Sequence, residues 1–363
     1  MPSFLTRRAF LERTSLTATA AAFIPRWMAA AQASGMFISL NGGVAQRTGW
    51  PEFARLAART GYAGVDFPLN NVRMAGVDAT RALLSELKLQ PTITGIPADP
   101  RGVDPAAFQT ALAGLEEAAK FMQDIGATRM MAVMPATVPA QANMSFDEYR
   151  TMYKTRLTAI DEVLRRHNIR LGLEFLGPMC FHLGNCGGGG NRARGAGAGA
   201  AAAAPGAPAG AAAPAAQAAP APPAAPAAPA APVIPFIHTL NETVKLATEA
   251  GPNIGVILDV WHWHHSGSTV ADILATDKSR IVHVHISDAK AMAPADVRDN
   301  MRFMPGEGII DYNGFFGALK KIGYTGGVAP EPLGRIPMEM SPDEAAKLGY
   351  DTAAAVMKKA GVF

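Results

Sequence analysis

The sequence predicts an α/β protein built as one (β/α)8 TIM barrel, with a disordered Ala/Pro/Gly-rich insertion after the fifth strand. Three observations predict it. Short apolar runs alternate with amphipathic helical stretches, the pattern of repeated β/α units around a parallel sheet. The apolar runs number eight. Setting aside residues 1–33 and 187–232, whose composition is not that of a barrel, leaves about 280 of the 363 residues, near the ~250 of a single barrel.

In chain order, the first segment reads as an address and not as fold. Thr6-Arg7-Arg8-Ala9-Phe10-Leu11 is a twin-arginine signature. A weakly apolar stretch from Ser15 to Phe23 follows, too short to span a bilayer. Ala31-Gln32-Ala33 then supplies a small-x-small cleavage pattern, so residues 1–33 are expected to be a Tat signal peptide and the protein to be periplasmic or otherwise extracytoplasmic. The four arginines and one glutamate of that segment account for the net charge of +3, which leaves a mature chain near neutral. A neutral chain argues against a nucleic-acid partner, and no later apolar run is long enough for a membrane span.

The expected strands are Met36–Leu40, Gly64–Phe67, Thr92–Ile96, Arg129–Val133, Leu171–Glu174, Gly255–Asp259, Ile281–His285 and Gly327–Glu331. Helices fall between them. Ser145-Phe-Asp-Glu148 and Ser341-Pro-Asp-Glu344 are capping boxes, the second with proline at the first helical position. Phe108, Leu112 and Leu115, or Leu157, Ile160 and Leu164, keep the helical period needed to pack on a sheet. Gly61, Gly126, Gly251 and Gly323 each follow a helical stretch and suit a left-handed C-cap. A doubly wound sheet would carry a Gly-rich phosphate loop after its first strand, and Asn41-Gly42-Gly43 is not that fingerprint.

Residues 187–232 are almost only Ala, Gly and Pro, with nothing large to bury, and are expected to be a disordered excursion and not a domain. The two cysteines, Cys180 and Cys186, lack the paired C-x-x-C spacing of a zinc site. An exported compartment permits a disulfide, but both are read as bystanders.

Chemistry concentrates where strands end. Glu174, Asp259, His285 and Glu331 each close an apolar run, and in a parallel barrel the strand C-termini converge on one face, so three carboxylates and an imidazole can meet around one divalent cation. An oxygen-rich set with one imidazole suits Mn, Co or Mg better than Zn, for which thiolates would have been the pointer. Asn41 and Asp66 close the first and second strands and are expected to line the pocket floor as substrate-binding residues. His283 shares a face with His285 and is read as a hydrogen-bonded interior histidine. Asp288 either orients His285 as a second carboxylate or caps the segment that follows.

The ordered set Leu173-Glu174-Phe175, Leu258-Asp259-Val-Trp-His262, Val284-His285-Ile-Ser-Asp288, Pro305-Gly-Glu-Gly-Ile-Ile-Asp311-Tyr312 and Pro330-Glu331-Pro332 resembles the xylose isomerase-like TIM-barrel family of sugar isomerases and epimerases. The resemblance runs from about Met36 to Gly361 with the insertion excluded. It implies that Glu174, Asp259, His285 and Glu331 bind one divalent metal and that Glu174 and Glu331 are the catalytic proton-transfer pair. It also implies substrate-binding roles for His262, three residues past the aspartate, and for Arg302, with Arg298 as a competitor for that position.

The expected function is therefore a metal-dependent sugar isomerase or epimerase acting by proton abstraction beside a carbonyl through a metal-stabilised enediolate. A keto-sugar or inosose dehydratase, or another lyase, would share the first step. A non-catalytic exported sugar-binding protein is the reading from a different class. The expected partner is a small, unphosphorylated carbohydrate, and a homo-oligomer is left open.

Overall fold

The computed structural model describes residues 35–45, 48–182 and 233–363. The expected signal peptide and Ala/Pro-rich insertion lie outside them. Among the described residues no helix is long and apolar enough to cross a membrane.

The strands are largely buried on both faces, as a sheet wrapped in helices requires. They are β1 (Phe37–Leu40), β2 (Gly64–Val65), β3 (Gln90–Pro91), β4 (Thr94–Gly95), β5 (Arg129–Val133), β6 (Arg170–Glu174), β7 (Ile254–Asp259), β8 (Ile281–Ile286) and β9 (Gly327–Pro330). All the pairings are parallel, in the order β3-β2-β1-β9-β8-β7-β6-β5-β4. The two ends of that order are neighbours in sequence, so the ladder returns to the segment where it began.

The third expected strand, Thr92–Ile96, is thus corrected to two pieces. Residues 90–91 pair with β2, and residues 94–95 pair with β5. Strands of a barrel tilt and stagger, so one segment meets its two neighbours at different heights. Thr92 and Ile93 still bond across the break, from Thr92 N to Val65 O and from Phe67 N to Ile93 O, both at 3.0 Å. Ile93, Met131, Ile257 and Val282 form a small cluster apart from the main core, an interior layer drawn from several barrel strands.

Both capping boxes form, Ser145 opening the helix Phe146–Leu164 and Ser341 opening Pro342–Lys359. Gly61, Gly126 and Gly323 adopt positive φ, as expected for left-handed caps. Gly251 does not: its φ of 168° is extended backbone, and it follows the helix Leu240–Ala250 for another reason. A Cβ there would lie 2.2 Å from the Asp161 carboxyl carbon, and that carboxylate accepts from Asn253 N at 2.8 Å. Close approach, not handedness, selects glycine. Cys180 is disulfide-bonded, which corrects its reading as a bystander; Cys186 lies outside the described residues.

Candidate active site

The strand ends converge as the sequence implied, and register explains how. β6 ends with Glu174 beside Ile257, and Asp259 ends β7 directly beside His285 of β8. A bulge between Val256 and Ile257 sets that last match, since Val256 faces Ile281 while Ile257 faces His283. Glu331 is the first residue past β9, its N–H bonded to Ile286 O at 2.8 Å. One ligand atom from each of Glu174, Asp259, His285 and Glu331 lies within 4.8 Å of the others, and all four residues are buried.

Local structure aims each group. Asp259 caps the short helix Val260–His265 by accepting from Trp261 N at 2.8 Å, which leaves Oδ2 turned into the site. His285 Nδ1 lies 2.8 Å from Glu174 Oε1 and 3.5 Å from Glu331 Oε2. Arg302 Nη1 donates to Asp259 Oδ2 at 2.6 Å and to Glu331 Oε2 at 3.1 Å. Its Nη2 donates to Asp299 Oδ1 at 2.7 Å, and its guanidinium lies 4.7 Å from the centre of the Trp261 ring. Arg298, the competing arginine, is spent on Ala295 O and Val297 O in its own loop.

His262 is buried in the site as expected, with Nε2 3.1 Å from Arg302 Nη2 and the Gly177 N–H pointing at Nδ1 from 3.3 Å. A Cβ on Gly177 would fall 2.0 Å from His262 O, so only glycine lets this loop close on the Val260–His265 helix. Burial, and then the Arg302 charge, hold the imidazole below its ordinary pKa although Asp259 pulls the other way.

The structure also places the remaining candidates. Asn41 and Asp66 bond to each other beside the cluster: Asn41 Nδ2 donates to Asp66 Oδ2 at 3.1 Å while Asn41 Oδ1 accepts from Gly43 N. Ser39 Oγ and Thr92 Oγ1 donate to Asp66 Oδ1 at 2.8 and 2.5 Å. Of the two readings open for Asp288, the structure favours the second, in which it holds the segment that follows and not His285. Its carboxylate accepts from the backbone N–H groups of Ala289, Gly306 and Ile310, tying the segment after β8 to the Gly306–Ile310 turn. His283 is interior but has no hydrogen-bond partner among the described residues. Sequence reading missed Asp299, whose only signal is its position three residues before Arg302.

Electrostatics follow from crowding charge where water is excluded. Burial raises the Glu331 carboxyl to about 8, helped by the Glu174 and Asp259 carboxylates and opposed by His285 and Arg302. Burial also works against charge on Asp259, but the Arg302 guanidinium outweighs it and holds that group down at about 2. For His285 burial is likewise the largest influence, yet the Glu331 and Glu174 carboxylates reverse it and raise the imidazole to about 10.

The donor set fits a divalent cation. Three buried carboxylates and an imidazole face one point, and once Glu331 and His285 have given up their protons the one guanidinium cannot balance the three negative charges. Glu174, Asp259, His285 and Glu331 would hold it. Coordination needs His285 neutral and Glu331 ionised, so protons must leave as a cation enters. Cation affinity is expected to rise with pH through about 8 and on toward about 10, the values of Glu331 and His285. Calorimetry in buffers of unequal ionisation enthalpy would show the released protons; an affinity independent of pH would contradict the assignment.

Buried strand-end acids and a histidine stand at the C-terminal mouth of a parallel β/α barrel, the face on which enzymes of this fold class carry their active sites. The chain belongs to the xylose isomerase-like TIM barrel family, whose profile matches residues 54–194 and 229–360. An inosose isomerase from Halalkalibacterium halodurans is 31% identical over 124 residues, 34% of this chain and 44% of that protein. The aligned stretch thus spans less than half the length of that relative. Among solved structures, a xylose isomerase domain protein from Alicyclobacillus acidocaldarius superposes with a TM-score of 0.69 at 22% identity, covering 90% of this chain and 99% of that one. The IOLI protein, solved with a bound zinc atom, gives 0.66 at 17% identity over the same shares. At these identities the likeness speaks for the fold.

Proposed function

We propose that the protein is a divalent-cation-dependent isomerase or epimerase of a sugar or keto-cyclitol, working by proton transfer at a carbon beside a carbonyl. The observation that carries the reading is the buried group of Glu174, Asp259, His285 and Glu331, with two glutamates from different strands on one imidazole. The family membership and the inosose isomerase relative support the substrate class. When bound, the cation would supply Lewis acidity that makes the C–H beside a carbonyl easier to ionise.

The chain's own groups do the rest. Arg302 keeps Asp259 ionised and fixes the orientation of Glu331 Oε2. Glu331, ionised once a cation is bound, is a carboxylate able to accept a proton from the substrate carbon as a general base. Glu174 and Glu331 can serve opposite faces of one carbon, so that one removes a proton and the other returns it. His262 and Trp261 back the Arg302 guanidinium and exclude water from it.

The test is exchange. The full chain loaded with Mn, Co or Mg should wash substrate C–H into deuterated water for at least one member of a panel of free sugars and keto-cyclitols, with an isomer or epimer as product. Exchange followed by loss of water would make it a dehydratase, and no exchange with any member would leave a binding protein.

We further propose export by the twin-arginine route, on the strength of Arg7-Arg8, the apolar stretch and Ala31-Gln32-Ala33. Replacing both arginines by lysine should retain the precursor in the cytoplasm with its signal uncleaved, read by fractionation and mass. Normal accumulation outside the cytoplasm would refute it.

A further inference from the structure

His285 turns Nδ1 toward Glu174 and Glu331, so its other nitrogen points away from the four-residue cluster. That Nε2 is buried with no hydrogen-bond partner among the described residues. Two positions earlier on β8 stands His283, its ring edge-on to that of His285 with centroids 5.4 Å apart. Both His283 nitrogens are also buried and unpartnered. Asp66 completes the group: its Oδ1 lies 3.6 Å from His283 Nε2, and one of its oxygens and a ring nitrogen of each histidine all lie within 4.8 Å of one another. Spacings of this size are too long for direct hydrogen bonds, yet one small centre can sit ~2.8 Å from all three. Asp66 cannot swing to close the gap, because Ser39, Thr92 and Asn41 hold its two oxygens.

The chemistry of His285 says what the gap is for. An imidazole that offers the Nδ1 lone pair to a cation must carry its proton on Nε2, and a buried N–H needs an acceptor. Asp288, the carboxylate nearest in sequence, is committed to three backbone amides. Asp66 already accepts three hydrogen bonds, which leaves about one acceptor site, enough for a water and a poor share of the charge a second cation would need.

We propose that Asp66 is a positioning residue for His285: through one buried water shared with His283 it receives the Nε2–H and holds the ring in the tautomer that turns the Nδ1 lone pair to Glu174, Asp259 and Glu331. The proposal rests on the cation reading of those four residues, and the experiment separates the two. Nitrogen-15 NMR of the full wild-type chain saturated with Mg or Zn, both diamagnetic, should show His285 protonated at Nε2, with that proton slow to exchange. Protonation at Nδ1 in the loaded chain would overturn the positioning role alone, and a chain that takes up neither cation in calorimetry would overturn both readings. Asp66→Asn, if folded by circular dichroism, should bind cation about 10- to 100-fold more weakly; unchanged affinity would overturn the proposal. If that variant does not fold, Ser39→Ala, which frees one of the bonds on Asp66, should weaken binding in the same direction by a smaller factor, and unchanged affinity there would count equally against it.

Discussion

Glu331→Gln and Glu174→Gln are each expected to cost about 100- to 10,000-fold in turnover, the worth of a positioned acid–base group, while the chain still binds its cation. Glutamine keeps an oxygen that can coordinate, but it neither accepts nor returns the substrate proton. His285→Ala and Asp259→Ala should show the reverse balance, losing the cation first. The two glutamine variants should also differ from each other. If the glutamates serve opposite faces, one variant will still wash substrate C–H into deuterated solvent without forming product, and the other will not. Full activity of either variant with cation bound would remove that residue from the mechanism.

Arg302→Met is expected to destabilise the cation-free protein by about 3–5 kcal/mol, the usual consequence of breaking a buried ion pair by removing one partner. Arg302 is 3% exposed, and its loss strands Asp259 and Glu331, which are both buried, together with Asp299. The effect should depend on pH in a definite sense. Asp259 is depressed to about 2 in the folded chain, so its contribution is present above the unfolded value of ~3.9 and is lost as pH falls toward about 2. Without the arginine that contribution goes, and the wild-type and variant stability curves should converge in acid. A saturating divalent cation should restore part of the loss at neutral pH, because it binds the folded state and neutralises the same carboxylates. Urea denaturation with and without manganese measures both effects. Wild-type stability in the cation-free variant would show that the carboxylates do not depend on the guanidinium.

The barrel was legible because its signals are local and redundant. An apolar run such as Ile254–Leu258 has no polar alternation, the pattern of a strand covered on both faces. Ser145 and Ser341 announce helices through bonds made within four residues. Where the reading slipped, the cause was not local. Nothing in Gln90–Gly95 says that its first and last pairs of residues bond to different neighbours, because stagger belongs to the closed sheet. Gly251 looked like a left-handed cap because glycine follows the helix, but its Cβ space is taken by Asp161, a residue 90 positions earlier.

At the site, the sequence by itself determined which side chains stand at the strand ends: Glu174, Asp259, His285 and Glu331 are carried there by strand polarity, and every strand of a parallel barrel points its C-terminus the same way. What those groups face was decided only by tertiary structure. Arg302 and not Arg298 enters the site, Asp299 joins it, Asp288 bonds three backbone amides, and Asp66 bonds Ser39, Thr92 and Asn41. The physical reason is reach. A strand sets the direction of its side chains within a residue or two, whereas the partner of a long or buried polar group is whichever donor or acceptor the folded chain brings within about 3 Å, and burial makes finding one compulsory.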